Sequence, residues 1–184
     1  IGVARARPYK GRMRHLALGF AVIAVAAVPA RAEPRGFTIG GRPVWFVTGG
    51  VTAGGTVAGA PRGALVGGEL GLVRIRDRQV AGLYLDGGYD FGVDAALVTA
   101  GPELAIIRRS PTMPLALGVD GGAAIRFGDD GGLGATGRVF LTVAGAVSLY
   151  GRYLFIDGDA DRHAVQVGLT LKFPLAAPFG AGVR

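Results

Sequence analysis

A period of two in the hydrophobic pattern constrains this chain more than any other feature of its sequence. Between Val165 and Phe173 the odd positions hold Val, Val, Leu, Leu and Phe, whereas the positions between them hold Gln, Gly, Thr and Lys. Successive side chains of a β-strand point to opposite faces, so this alternation predicts a strand with one apolar and one polar face. Apolar residues take the same odd-numbered phase in the segments around residues 83–91, 115–127, 139–143 and 147–155.

Segments of this kind recur along the chain and are separated by short runs rich in Gly, Asp and Pro. Most run for about 10–14 residues, longer than the five or six of a usual strand and long enough to cross a bilayer when tilted. Eight antiparallel strands joined by short turns can close into a barrel that side chains fill. The predicted strands are Val44–Val57, Ala64–Arg76, Val80–Phe91, Ala95–Arg109, Leu115–Phe127, Gly134–Val143, Ala146–Ile156 and Arg162–Phe173.

Alternation alone does not decide which face of such a barrel is outside. The polar face is rich in Gly, Ala and Thr, which suits a narrow lumen, and its charges are nearly balanced, as buried charges must be. We therefore predict an all-β fold, an eight-stranded antiparallel up-and-down transmembrane β-barrel, with the polar face inward. The predicted ion-pair network of the lumen comprises Glu69, Asp86, Asp90, Glu103, Asp120, Arg126, Arg138, Arg152 and Lys172. The alternative is a soluble barrel in which these charges face water.

Seven aromatic residues fall near the ends of the predicted strands. If both termini of the barrel lie at the same rim, five of these aromatic residues lie at the opposite rim and two lie at the rim of the termini. Membrane barrels have two such belts of aromatic residues, one at each interface. The predicted interface aromatics are Tyr89, Phe91, Phe127, Tyr153 and Phe155 at the rim opposite the termini, and Trp45 with Phe173 at the rim of the termini.

The first 32 residues have the organisation of upstream residues followed by a secretory signal peptide. Basic Arg14 precedes an apolar run from Leu16 to Val28, and Ala30-Arg31-Ala32 has the A-x-A form of a cleavage site after Ala32. Residues 33–43 then form a short lead, 44–173 the barrel and 174–184 a C-terminal tail. Removing the six basic residues of 1–32 from the 20 of the chain leaves 14 against 13 acidic residues, so the net charge falls from +7 to +1. Nucleic acid is therefore not an expected partner.

The last predicted strand resembles the C-terminal assembly signal of small bacterial outer-membrane β-barrel proteins of the OmpA/OmpX-like, eight-stranded kind. Gln166, Gly168, Leu171 and Phe173 stand at the offsets of that signal, although residues 174–184 follow it here. The resemblance implies export to the outer membrane of a Gram-negative bacterium, with outer-membrane lipid and the barrel assembly machinery as partners.

No catalytic or metal-binding constellation is evident in the sequence. Cysteine is absent, and the two candidates for a catalytic pair, His163 and Ser148, fall on opposite parities. The spacing of Asp157, Asp159 and Asp161 would suit a cation, but acidic residues are also what tight turns favour. We therefore expect no enzymatic activity, no cofactor and no bound metal.

Two hypotheses for function remain open on the sequence. The first is a structural or interaction protein, an outer-membrane barrel with a closed, ion-paired lumen. The alternative is a soluble periplasmic or secreted lipocalin-like barrel that binds an apolar ligand. Two irregularities are also predicted. One is a bulge at Pro102, which cannot donate to the ladder, and the other is the phase break at Leu72–Ile75, which indicates either another bulge or a strand that emerges from the membrane.

Overall fold

The computed structural model of the protein describes residues 43–59, 61–108, 113–128, 131–157 and 162–176. These residues contain no helix able to cross a membrane. They form eight strands: β1 (Val44–Ala58), β2 (Gly63–Arg76), β3 (Gln79–Asp90), β4 (Ala95–Arg108), β5 (Leu115–Phe127), β6 (Gly132–Val143), β7 (Val147–Ile156) and β8 (His163–Pro174). The predicted signal peptide, the lead up to residue 42, Asp159, Asp161 and the tail from residue 177 lie outside the described residues.

The eight strands make one closed barrel in which each strand pairs antiparallel with the next. The ring closes by pairing of β1 with β8, for example Ala53 with Leu169. The predicted all-β, antiparallel, up-and-down architecture is confirmed, and every predicted strand end lies within two residues of the observed one. Because the barrel is closed, each of the eight strands pairs with a neighbouring strand on both sides, and none of them is an edge strand.

An even number of strands puts the two ends of the barrel chain at the same rim. We call this the terminus-side end; it also carries the connections at 77–78, 109–114 and 144–146. The opposite, loop-side end carries the connections at 59–62, 91–94, 128–131 and 157–162. Two terminus-side turns need left-handed backbone, at Asp77 (φ 58°) and at the pair Ala144 and Gly145 (φ 53° and 71°), which is the conformation that tight hairpins require.

Both predicted bulges are wrong. On one side, Pro102 pairs with Leu83 of β3. On the other side, two residues of β4 at Pro102 are not paired with β5, but the pairs before and after them keep the same register, so the strand contains no bulge there. Residues 72–75 of β2 pair continuously with both neighbouring strands. The register shifts instead between Thr56 and Ala58, where β1 meets β8. The phase break was misread because Val73 and Ile75 are apolar residues on the inner face.

Candidate functional site

The barrel is apolar outside and polar inside. Leu117, Leu149 and Leu169 are 61%, 53% and 39% exposed, whereas Asp120 and Arg152 are 6% and 3% exposed. Along every strand, side chains of one parity face the lumen and those of the other face outward, and the polar lumen residues lie across its middle. This polarity is the reverse of that of a water-soluble barrel.

A connected group of five charged side chains crosses the middle of the lumen. The Arg138 guanidinium contacts Glu69 (Nη1 to Oε2, 2.6 Å) and Asp120 (Nε to Oδ2, 2.6 Å). Lys172 Nζ lies 2.7 Å from Glu69 Oε1 and 3.7 Å from Glu103 Oε2. These residues come from β2, β4, β5, β6 and β8, so the group ties together strands that are not neighbours around the barrel. We call it the charged layer.

The other predicted lumen charges have separate partners. Arg152 donates a hydrogen bond to Asp86 and forms an ion pair with it. Asp90 accepts hydrogen bonds from the Thr56 hydroxyl (3.0 Å) and from Gln166 Nε2 (3.1 Å). Arg126 is also buried on the lumen face. All nine predicted residues thus face the lumen, and five of them meet in the charged layer.

Three aromatic rings enclose the guanidinium of Arg138. Its Cζ lies 5.2 Å from the centroid of Tyr84, 5.7 Å from that of Phe140 and 5.5 Å from that of Tyr150. Stacking of this kind stabilises a cation that has lost its water. These rings were not predicted as part of the lumen network, although they share the even parity of Arg138, and that parity is the signal that places them inside.

Glycines make room for these rings. A Cβ added at Gly168 would lie 2.6 Å from the Tyr150 hydroxyl, and one at Gly54 would lie 2.9 Å from it. Gly168 belongs to the resemblance to an assembly signal, and Gln166 of the same segment is fully buried. Leu171 and Phe173, its two apolar members, are exposed on the outside. The four residues therefore divide evenly between lumen and exterior.

The predicted interface aromatics lie near the two rims, as their strand positions require. Near the loop-side end the rings of Tyr89 and Phe91 are 5.1 Å apart, and those of Phe155 and His163 are 5.3 Å apart. The Tyr153 hydroxyl lies 2.5 Å from Nδ1 of His163. The outward-facing aromatics of this rim are Tyr89, Phe91, Phe127, Tyr153 and Phe155; Trp45 and Phe173 lie near the terminus-side end.

The two residues considered for catalysis do not come together. His163 is exposed at the loop-side rim, whereas Ser148 is buried in the lumen and shares a 2.6 Å hydrogen bond with Thr142. Within the described part of the chain, no group of three or more His, Asp or Glu side chains is arranged to hold a metal ion. Asp157 is described, at the end of β7, without its two predicted partners.

The two ends of the lumen are both apolar but differ in packing. A loop-side plug closes one end and is formed by Leu65, Leu97, Ala124, Leu154, Ile156 and Ala164. At the terminus-side end the lumen contains a cavity of about 300 Å³, near the lower end of the range of ligand pockets. We call this the terminus-side cavity; its lining includes Phe46, Val80, Ala116 and Phe140, with Glu103 and Lys172 among the polar residues.

Comparison of the chain with protein-family models, with curated proteins and with solved structures finds no match.

Proposed function

We propose that the protein is an integral outer-membrane β-barrel with a structural or interaction role and no catalytic activity. The observation that carries this proposal is the inverted polarity of the barrel. Large apolar side chains cover its exterior, among them Leu70, Leu83, Leu85, Ile106 and Val139. Withdrawing each such side chain from water is worth about 1.5–3 kcal/mol, so a surface of this extent favours lipid as its surroundings.

The dimensions and rims of the barrel agree with this environment. The strands contain 10 to 15 residues, whereas a tilted strand needs about 9–11 to cross the hydrocarbon core. Aromatic side chains lie near both rims, at the depth where membrane interfaces favour them. Arg74, Arg76, Arg78 and Arg108 lie towards the terminus-side end, where their long side chains can reach lipid head groups.

The interior supports a scaffold rather than a channel. The charged layer crosses the middle of the lumen and the loop-side plug fills one end. An eight-stranded barrel has an interior just wide enough for side chains to fill. We propose that the termini face the periplasm, that the β8 segment is read by the barrel assembly machinery, and that residues 1–32 direct export.

The soluble alternative requires the opposite arrangement of faces. A lipocalin-like barrel would hold its apolar side chains around the ligand and its charges in water. Here the charged Glu69, Arg138 and Arg152 are each 3% exposed, and the apolar residues cover the outside. We therefore favour the membrane barrel.

The test places a charge on the outer face at two depths of the same strand. Leu85 lies near the middle of β3 and Ala81 near its terminus-side end, and both are exposed. In lipid vesicles we expect Leu85→Arg to lower the free energy of unfolding by about 2–4 kcal/mol, and the matched Ala81→Arg by about 0–1 kcal/mol. Urea titration of the refolded barrel, read by the mobility of unheated protein in SDS gels, measures both changes.

A soluble barrel would respond differently. It would fold in buffer without lipid or detergent, and Leu85→Arg would cost no more than Ala81→Arg because both side chains would lie in water. That result would contradict the proposal.

A further inference from the structure

The terminus-side cavity differs from the rest of the lumen because its walls are apolar. Phe46 of β1, Val80 of β3, Ile107 of β4 and Ala116 of β5 line it, together with the ring of Phe140. The charged layer borders it through Glu103 and Lys172. A ligand entering from the terminus-side end would therefore meet apolar walls first and a charged surface behind them.

The charges of the charged layer, which borders the cavity, do not balance. Three carboxylates of the charged layer, on Glu69, Glu103 and Asp120, are served by two cations, Arg138 and Lys172. Arg138 binds two of the carboxylates, and Lys172 lies 2.7 Å from Glu69. Glu103 is 3.7 Å from Lys172, which is beyond hydrogen-bonding distance. The excess negative charge is thus associated with a carboxylate that borders the cavity.

We propose that the terminus-side cavity binds a small organic cation in which a primary ammonium group is attached to an apolar body. The ammonium would donate a charge-assisted hydrogen bond to Glu103 and supply the missing positive charge. The apolar body would occupy the space between Phe46, Val80 and Ala116. Phe140 already faces two cations, with Lys172 Nζ 5.2 Å and Arg138 Cζ 5.7 Å from its ring centroid, so its ring would add apolar contact to the ligand.

The sign of the expected ligand follows from the same contacts. A carboxylate ligand would have to displace Glu69 from Lys172 and would be repelled by Glu103. Its charge would increase the imbalance of the layer. An uncharged ligand would gain the apolar contacts alone, so it should bind more weakly than the amine. This inference goes beyond the structural role proposed above.

The test titrates the refolded full chain with three ligands of matched shape: 2-phenylethylammonium, 2-phenylethanol and 3-phenylpropionate. Isothermal titration in lipid nanodiscs, with empty nanodiscs subtracted, gives each dissociation constant. We expect saturable binding of the amine, about tenfold tighter than that of the alcohol. The acid should bind no more tightly than the alcohol. If the barrel proves to be soluble, the same titration is run in buffer, so failure of the membrane proposal leaves this test intact.

Three variants connect the binding to the cavity. We expect Glu103→Gln to remove the preference for the amine, and Ala116→Leu to weaken both amine and alcohol by occupying the space. Asp90→Asn is the matched control, because Asp90 is a buried lumen carboxylate bound to Thr56 and Gln166 and does not line the cavity; it should keep the preference. Mobility of the unheated proteins in SDS gels verifies that each variant folds. If Glu103→Gln does not fold, Ala116→Leu still tests whether the ligands bind in the cavity.

Several results would overturn the proposal. These are equal affinity for amine and alcohol, tighter binding of the acid, a preference that survives in Glu103→Gln, binding unchanged in Ala116→Leu, or no saturable binding at all. The last result would mean that another occupant, such as a segment of the chain itself, fills the cavity.

Discussion

The two ends of the lumen use the same kind of residue to opposite effect. At the loop-side end, branched side chains such as Leu65, Leu97 and Leu154 meet across the barrel and leave little exposed surface. At the terminus-side end the small residues Ala105 and Ala116 stand among the apolar residues, and a cavity of about 300 Å³ remains. The charged layer separates the two.

The difference shows that apolar character alone does not close an end of this lumen. Protein interiors reach high packing density only where the shapes of opposing side chains are complementary. The loop-side plug meets this condition and should contribute to stability. The open end does not, so its residues remain available for contact with something else.

The largest expected effect comes from disrupting the charged layer between the two ends. Arg138→Met would leave Glu69 and Asp120 buried without their shared cation, so we expect the free energy of unfolding to fall by about 3–5 kcal/mol. Urea unfolding of the barrel in vesicles measures the loss. Arg108→Met, at an exposed strand end, is the control and should change stability by less than about 0.5 kcal/mol. Equal effects of the two substitutions would show that the buried ion pairs do not hold the barrel together.

A pair of truncations compares the two ends directly. Leu154 is 1% exposed within the loop-side plug, so we expect Leu154→Ala to cost about 2–5 kcal/mol through lost burial and a new void. Ile107→Ala enlarges a cavity that already exists and should cost about 1 kcal/mol or less, since such costs depend on how well the site was packed. The same urea titration measures both variants. A larger loss at Ile107 would reverse the comparison.

A smaller effect than those of Arg138→Met and Leu154→Ala is expected at the glycines that accommodate the inner rings. Gly168→Ala would place a Cβ 2.6 Å from both the Tyr150 hydroxyl and the Ala53 carbonyl oxygen, and we expect a loss of about 1–3 kcal/mol from overpacking. Tyr150→Phe removes the hydroxyl but leaves the backbone contact and the ring carbon Cζ, 2.7 Å from the added Cβ, so it should restore only a small part of the loss. Gly151→Ala is the matched control, because nothing lies within 4 Å of its added Cβ. If Gly168→Ala leaves the midpoint of urea unfolding unchanged, the strand can shift to accommodate the added Cβ, and the prediction is wrong.

The sequence was sufficient to predict the strands, because a period of two is encoded locally in each segment. It was also sufficient to predict which parity carries the lumen charges. It misled at Val73 and Ile75, where inner apolar residues look like a change of phase although they line the open end of the lumen. The alternation of apolar and polar residues identifies the inner and outer faces of a strand only where the part of the lumen beside that strand is polar.

The pairing within the site could not be predicted from the sequence. Arg138 and Glu69 are on β6 and β2, and their contact depends on the closure and radius of the barrel rather than on any local spacing. The rings around Arg138 were missed for a related reason, since Phe140 and Tyr150 are apolar or amphipathic residues on a face identified by its charges. The shift between Thr56 and Ala58 had no signal in the hydrophobic pattern.

The central claim is that the apolar face of the barrel contacts lipid while the polar face lines the lumen. Because the chain has no cysteine, single cysteines at residues 83–86 of β3 can carry spin labels in reconstituted bilayers. We expect labels at Leu83 and Leu85 to be accessible to oxygen dissolved in the bilayer and protected from a water-soluble nickel chelate, and labels at Tyr84 and Asp86 to be protected from both. High nickel accessibility at Leu83 and Leu85, or no alternation along the four positions, would contradict the account.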